Sequence, residues 1–155
     1  MRRRAVRTGS STGGFTLLEL AIALALAGLL TAVAFSGFRS FVDSAAITSA
    51  ARTVREHVTR ARSTAIYRRE RVRLHQSPTA DLTLRDDRDS VLATLSLART
   101  GPFAIDSVRV RPATLRFNSR GQAAPGSIYL YRAKRGARIV VNFLGRVRVQ
   151  RFAIP

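Results

Sequence analysis

The sequence predicts an α+β fold: one long N-terminal helix, with a membrane half and an amphipathic half, packed on a C-terminal antiparallel β-rich head. Three observations predict it. An apolar run covers residues 15–38 with Glu19 as its single charge. An apolar stripe at helical spacing follows it without a proline, and beyond Arg69 the apolar period shortens to two residues.

The elements follow in order along the chain. Residues 1–14 carry Arg2, Arg3, Arg4 and Arg7 and no acid. Arginines on this side of an apolar helix hold it in the cytoplasm and send the residues after about Phe38 across the membrane. The run from Phe15 to Phe38 holds 24 residues, more than the roughly 20 that a helix needs to span a bilayer. A secretory signal has its small-residue cleavage site after the apolar run; here Gly13 and Gly14 stand before it. A carboxylate at the centre of such a helix costs roughly 2.5–3.5 kcal/mol on insertion scales, so Glu19 calls for a partner.

Residues 39–69 extend the helix. Ile47, Ala51, Val54, Val58, Ala61 and Ala65 form one stripe, and Arg52, Arg55, Glu56, Arg62 and Arg69 lie mostly off it. One helix from about Thr16 to Arg68 is therefore expected, roughly 80 Å long at 1.5 Å per residue, with its second half on a sheet. Residues 70–155 form the head. Val72 and Leu74, then Leu82 and Leu84, begin the strands, and Asp86-Asp87-Arg88-Asp89 reads as a hairpin turn. Val91 to Leu97, Val108 and Val110, Leu115 and Phe117, Ile128 and Leu130, Ile139 to Phe143, and Val147 to Phe152 complete seven or eight short strands. Turns fall at Thr100-Gly101-Pro102, Asn118 to Gln122, and Ala124-Pro125-Gly126.

Charge and composition bound the chemistry. The net charge is +18, and all basic residues except Lys134 are arginine. Such a balance attracts polyanions such as nucleic acid, anionic lipid or lipopolysaccharide without specifying one. The chain has no cysteine, which removes disulfides and thiolate metal sites. His57 and His75 are isolated from each other. Asp86, Asp87 and Asp89 are interrupted by Arg85 and Arg88 and fall short of the six or more oxygens that calcium takes, so a solvated turn is expected. No nucleophile elbow, P-loop or dinucleotide fingerprint occurs, so neither an enzyme, a cofactor nor a metal is expected. The residues alone leave open a plain single-pass anchor that is never processed.

The octapeptide Gly13-Gly14-Phe15-Thr16-Leu17-Leu18-Glu19-Leu20 resembles the processing site of type IV prepilins and pseudopilins. The resemblance implies that residues 1–14 are a leader, cut between Gly14 and Phe15 by a prepilin peptidase, with N-methylation of Phe15. It also implies that Glu19 helps recruit the subunit into a filament, where the N-terminal amine of an adjacent subunit supplies the cation that a buried carboxylate requires. One departure is Ser36, where many family members have proline; any bend there must come from Ser36-Gly37.

A second set of segments, Phe117-Asn118-Ser119-Arg120-Gly121, Ile128-Tyr129-Leu130, Arg138-Ile139-Val140-Val141 and Gly145-Arg146-Val147-Arg148, resembles the GspH/FimT branch of pseudopilins. This resemblance implies a type IV pilin-like fold, a single pass through a bacterial inner membrane with a periplasmic head, and other pilins or pseudopilins as partners. Two functions are implied. One is a minor pseudopilin of type II secretion, or of a related type IV filament, that moves proteins across the outer membrane. The other is a FimT-like minor pilin that binds DNA for uptake in natural transformation. In FimT-like members the Gly-Arg-x-Arg segment is associated with DNA, which here names Arg146 and Arg148; Lys134 and Arg135 join them on charge grounds alone. Strand geometry puts Arg146 and Arg148 on one exposed face, with Val147 and Val149 toward the core. Arg132 and Arg138 of the neighbouring hairpin are candidates to extend the patch.

Overall fold

The computed structural model describes residues 16–98 and 100–154. Helix α1 covers Leu17–Arg68 and includes Ser36 and Gly37. The chain divides into two compact units, residues 1–38 and 39–155, whose boundary falls within α1.

In the first unit α1 presents its apolar side chains outward. Leu17, Leu18, Leu20, Leu24, Leu29 and Leu30 are all more than half exposed. Among the described residues α1 is the one helix long and apolar enough to cross a membrane, with a mean hydropathy of 2.3 over 18 residues. No stripe exists here because every face is apolar, as a helix surrounded by lipid or by other helices requires.

In the second unit the predicted stripe is the core face. Ile47, Ala51, Val54, Val58, Ala61 and Ala65 are buried, joined by Ala50 and by the side chain of His57. The helix ends where Arg69 takes φ +55°, a left-handed residue whose N–H donates to the Ile66 carbonyl at 3.3 Å. That conformation closes many helices, usually with glycine in the position.

Eight strands follow among the described residues: β1 Val72–Gln76, β2 Asp81–Arg85, β3 Val91–Ser96, β4 Ser107–Arg111, β5 Thr114–Phe117, β6 Gly126–Arg132, β7 Arg135–Val141 and β8 Val147–Ala153. They form two antiparallel sheets of four strands, ordered β3-β2-β1-β5 and β4-β6-β7-β8. The chain crosses to the second sheet for β4, returns to the first at Pro112 for β5, and crosses again before β6. One continuous core joins the stripe of α1 to Leu74, Leu82, Leu84, Leu115 and Phe117 of the first sheet and to Ile128, Leu130, Ile139 and Val141 of the second.

Three local expectations are corrected. Phe143 belongs to the turn after β7 and is more than half exposed, because Gly145 N–H bonds back to the Asn142 carbonyl and ends the ladder. Leu97 lies outside β3 yet is fully buried, and Ile105 in the following loop is buried beside it in the same core. Val149, expected in the core, is 37% exposed because β8 is an edge strand at the margin of the helix.

Candidate functional site

The amino end of α1 is closed by its own side chains. Thr16 Oγ1 accepts from the Glu19 N–H at 3.1 Å, and the Glu19 carboxylate accepts from the Thr16 N–H at 3.4 Å. This is a capping box, in which a threonine and a glutamate three residues later satisfy each other's backbone donors. Glu19 thus has a partner within the chain, and its negative charge also lies at the positive end of the helix dipole. The T-x-x-E spacing was present in the sequence as the sign of it. Gly14 and Phe15, the expected cleavage pair, lie outside the described residues.

The basic residues of the head sort by strand register. Tyr129 pairs with Arg138, Tyr131 with Gly136, Arg138 with Gln150, Val140 with Arg148, and Gly136 with Phe152. Arg109 of β4 pairs with Tyr129, and Arg111 with Ser127. The outer face of the second sheet therefore carries Arg109, Arg111, Arg138 and Arg148 around an aromatic row, while Val108, Val110, Ile128, Leu130 and Ile139 point into the core. Tyr129 and Tyr131 stack with centroids 6.4 Å apart, Phe152 meets Tyr131 edge-on at 6.1 Å, and the Arg138 guanidinium sits 5.4 Å from the Tyr129 ring. Phe152 lies over Gly136, whose missing side chain makes room for the ring.

Arg146 and Arg148 are both exposed at one end of this face, as expected. Arg146 N–H is fixed by the Asn142 side-chain carbonyl at 2.8 Å, which leaves the guanidinium free to project from the turn. Lys134 and Arg135 do not extend that patch. Arg135 pairs with Ala153 and Val141 with Val147, so the two groups stand at opposite ends of β7, roughly 20 Å apart at about 3.3 Å per residue. Arg132 is unavailable for another reason: its Nε donates to Asp43 Oδ1 at 2.8 Å, and its Nη1 to the carbonyls of Phe103 and Ala104. Of the neighbouring hairpin, Arg138 alone extends the face of Arg148.

The two glycines of the C-terminal segments meet. Gly121 has φ +76° and Gly145 φ +69°, and a side-chain carbon on Gly145 would collide with the Gly121 carbonyl oxygen. Arg62 of α1 donates to that same carbonyl at 3.0 Å. The Phe117 to Gly121 turn and the Gly145 to Arg148 turn thus form one cluster on the side of α1. Arg62, off the apolar stripe of α1, is its clasp.

The Asp86–Asp89 turn spends its acids internally. Asp86 is buried, and its Oδ1 accepts the N–H groups of Arg88 at 2.9 Å and Ser90 at 2.8 Å. Asp89 accepts from Arg85 at 2.9 Å, and Arg73 donates to the Asp86 carbonyl at 3.0 Å. The turn is fixed rather than simply solvated, because arginines of β1 and β2 reach it.

His57 is set in the core stripe, with Nε2 3.1 Å from the Leu82 carbonyl, so that nitrogen is the donor. Burial pushes its pKa below the ordinary 6.5, and nearby Arg60 adds to the effect against the opposing Leu82 bond. As pH falls below about 6.5 the unfolded chain takes up a proton that the folded head resists, so stability falls through that window. Urea midpoints measured from pH 7.5 down to 5 are expected to drop in the native protein and to flatten in His57→Gln. An equal slope in both proteins would place the titration elsewhere.

A long N-terminal helix, apolar at its start and packed at its end on antiparallel sheets, is the type IV pilin-like fold. The profile described as type II transport protein GspH matches residues 50–145, and the prokaryotic N-terminal methylation motif matches residues 10–35. The chain belongs to the GspH family and is a minor pilin or pseudopilin of that kind. The minor pilin FimU of Pseudomonas aeruginosa is similar in structure, with a TM-score of 0.57 at 16% identity over 71% of this chain and 92% of that one. The minor pseudopilin EpsH of the Vibrio cholerae type 2 secretion system gives 0.51 at 13% identity, over 67% and 95%. At these identities the likeness is one of fold. Comparison with curated protein sequences gave no significant match.

Proposed function

We propose that this chain is a structural subunit of a type II secretion pseudopilus or a related type IV filament, serving protein secretion across the outer membrane. A prepilin peptidase cuts between Gly14 and Phe15, and Phe15 is N-methylated. The subunit waits in the inner membrane with its N-terminus cytoplasmic and its head periplasmic, then enters the filament through the apolar half of α1. The observation that carries this reading is the exposed apolar surface of residues 17–33, with Glu19 at its start, on the same helix that cores the head. In the filament Glu19 exchanges its Thr16 contacts for the amine of a neighbouring subunit.

A second reading, DNA capture through Arg146 and Arg148, is favoured by the outer face of the second sheet, where Arg109, Arg138 and Arg148 stand with no acid on the paired positions. One co-expression experiment with a prepilin peptidase and the partner pilins tests both. Intact mass should fall by residues 1–14 and gain one methyl group. Glu19→Ala should be processed yet lose about tenfold or more of its filament-bound fraction, the scale of a broken desolvated ion pair. An unprocessed chain, or a Glu19→Ala that assembles normally, overturns the filament mechanism. Gel shifts of the same protein at several salt concentrations address DNA: a steep salt slope that Arg146→Ala with Arg148→Ala leaves unchanged overturns that site.

A further inference from the structure

The basic turn that the DNA reading leaves unused stands against the helix at its emergence from the apolar run. Arg135 Nη2 donates to Ser40 Oγ at 2.9 Å, and Ser40 is the second residue after Phe38, where the run ends. Lys134, Arg135, Ser40, Asp43 and Ala153 line a hollow of about 500 Å³. A second hollow of about 270 Å³ adjoins it through Arg135 and adds Ser44 and Arg151. The turn is held in place from both sides, since the Lys134 carbonyl accepts the Ile154 N–H at 2.9 Å and Asp106 accepts the Ala133 N–H at 2.8 Å. Asp43 does not cancel this charge, because its carboxylate is taken by Arg132 at 2.8 Å. Ser40, Lys134 and Arg135 thus line the first hollow, while Ser44 and Arg151, whose Nη1 lies 3.5 Å from Thr48 Oγ1, line the second, which Arg135 shares.

Donors of this kind suit a phosphate monoanion. Arginine offers a forked pair of N–H groups and lysine a compact charge. Residues just past a spanning helix lie at the level of the lipid headgroups of the leaflet they face, here the periplasmic one, and paired basic side chains there meet the phosphate of an anionic lipid as charge-assisted donors. We propose that the hollow beside Lys134 and Arg135 binds the headgroup phosphate of an anionic phospholipid, holding the head against the membrane before assembly. The inference rests on the membrane-anchored reading above and goes beyond it by assigning a lipid site. Extraction into a filament would require release of this lipid, so the site sets part of the barrier to assembly.

The absence of cysteine makes a site-specific reporter simple. Ala153→Cys, carrying an environment-sensitive dye, would be read in the full chain in non-ionic detergent, titrated with short-chain phosphatidylglycerol, phosphatidylcholine or inorganic phosphate. The expected result is a saturable response to phosphatidylglycerol, weaker for phosphatidylcholine and for inorganic phosphate. Removing cations should weaken it about fivefold each, in Lys134→Ala and again in Lys134→Ala with Arg135→Ala. Lys134 is exposed in a turn, so its single variant keeps the test valid if the double variant misfolds. Equal responses to both lipids, an equal response to inorganic phosphate, or no change in Lys134→Ala overturns the proposal. Alkaline extraction of the chain from vesicles separates the two failures: a chain that stays with the vesicles but shows no lipid preference loses only this site, and one that is washed off loses the membrane anchor as well.

Discussion

Gly145→Ala is expected to lower the stability of the head by about 2–4 kcal/mol, the sum of about 1 kcal/mol for a left-handed alanine and 1–3 kcal/mol for overpacking. The position is constrained twice. Its φ of +69° is open to glycine at little cost. Its missing side chain faces the Gly121 carbonyl oxygen, with Arg62 Cδ and Nε each 2.9 Å from where the new carbon would sit. Arg62 is the end of a flexible side chain and can withdraw, but only by giving up its bond to Gly121. The carbonyl cannot withdraw without unwinding the turn, because Gly121 N–H is itself bonded to the Asn118 carbonyl at 2.9 Å. Urea unfolding at pH 7 measures the loss. Gly145→Asn separates the two causes: asparagine tolerates the left-handed conformation but brings the same carbon, so it should be nearly as destabilising as alanine. If asparagine restores native stability, backbone conformation alone decides the position. Against a total of about 5–15 kcal/mol for a domain, the expected loss is large enough to reduce the amount of folded protein in the cell. The Gly-Arg-x-Arg segment is thus a packing requirement at its glycine and an exposed pair of charges at its arginines.

Much of the architecture could be read locally. The α1 stripe is an i, i+3, i+4 pattern, and burial follows it residue for residue from Ile47 to Ala65. The alternation of Val72 with Leu74, and of Ile128 with Leu130, marked strands whose inner faces are those residues. What could not be read is what long-range pairing decides. Nothing near Thr114 announces that β5 pairs with β1 while its neighbour β4 joins the other sheet. Lys134 and Arg135 are near Arg146 along the sequence but not in space, because antiparallel pairing puts the two turns at opposite ends of β7. The role of Arg62 depends on a carbonyl 59 residues away, which no local pattern shows. The Thr16–Glu19 cap, by contrast, is local, and its T-x-x-E spacing is legible in the sequence.

The second large effect is expected at Arg132. Arg132→Met should cost the head about 2–4 kcal/mol, because it strands a partly buried carboxylate and two carbonyls that share one guanidinium. Arg132 is 17% exposed at the side chain and Asp43 30%, so the pair lies between the surface regime and the buried one. Three bonds of 2.8 to 3.0 Å tie α1 at Asp43, the loop at Phe103 and Ala104, and the end of β6 to one side chain. Asp43→Ala removes only one of the three and should cost less, about 1–2 kcal/mol. The double variant tells the roles apart. Because Asp43 and Arg132 touch, Arg132→Met with Asp43→Ala should be little worse than Arg132→Met alone. The excess of Arg132→Met over Asp43→Ala measures the share of the two carbonyls, and strict additivity would show that the ion pair is worth nothing. A carbonyl share at least as large as that of the ion pair is expected, because two of the three bonds go to the loop, where Ala104 holds φ +47° and accepts from Arg132 at 3.0 Å. A loss below about 0.5 kcal/mol for Arg132→Met, within the range of ordinary surface substitutions, would show that the loop is held by Ile105 in the core and not by the arginine.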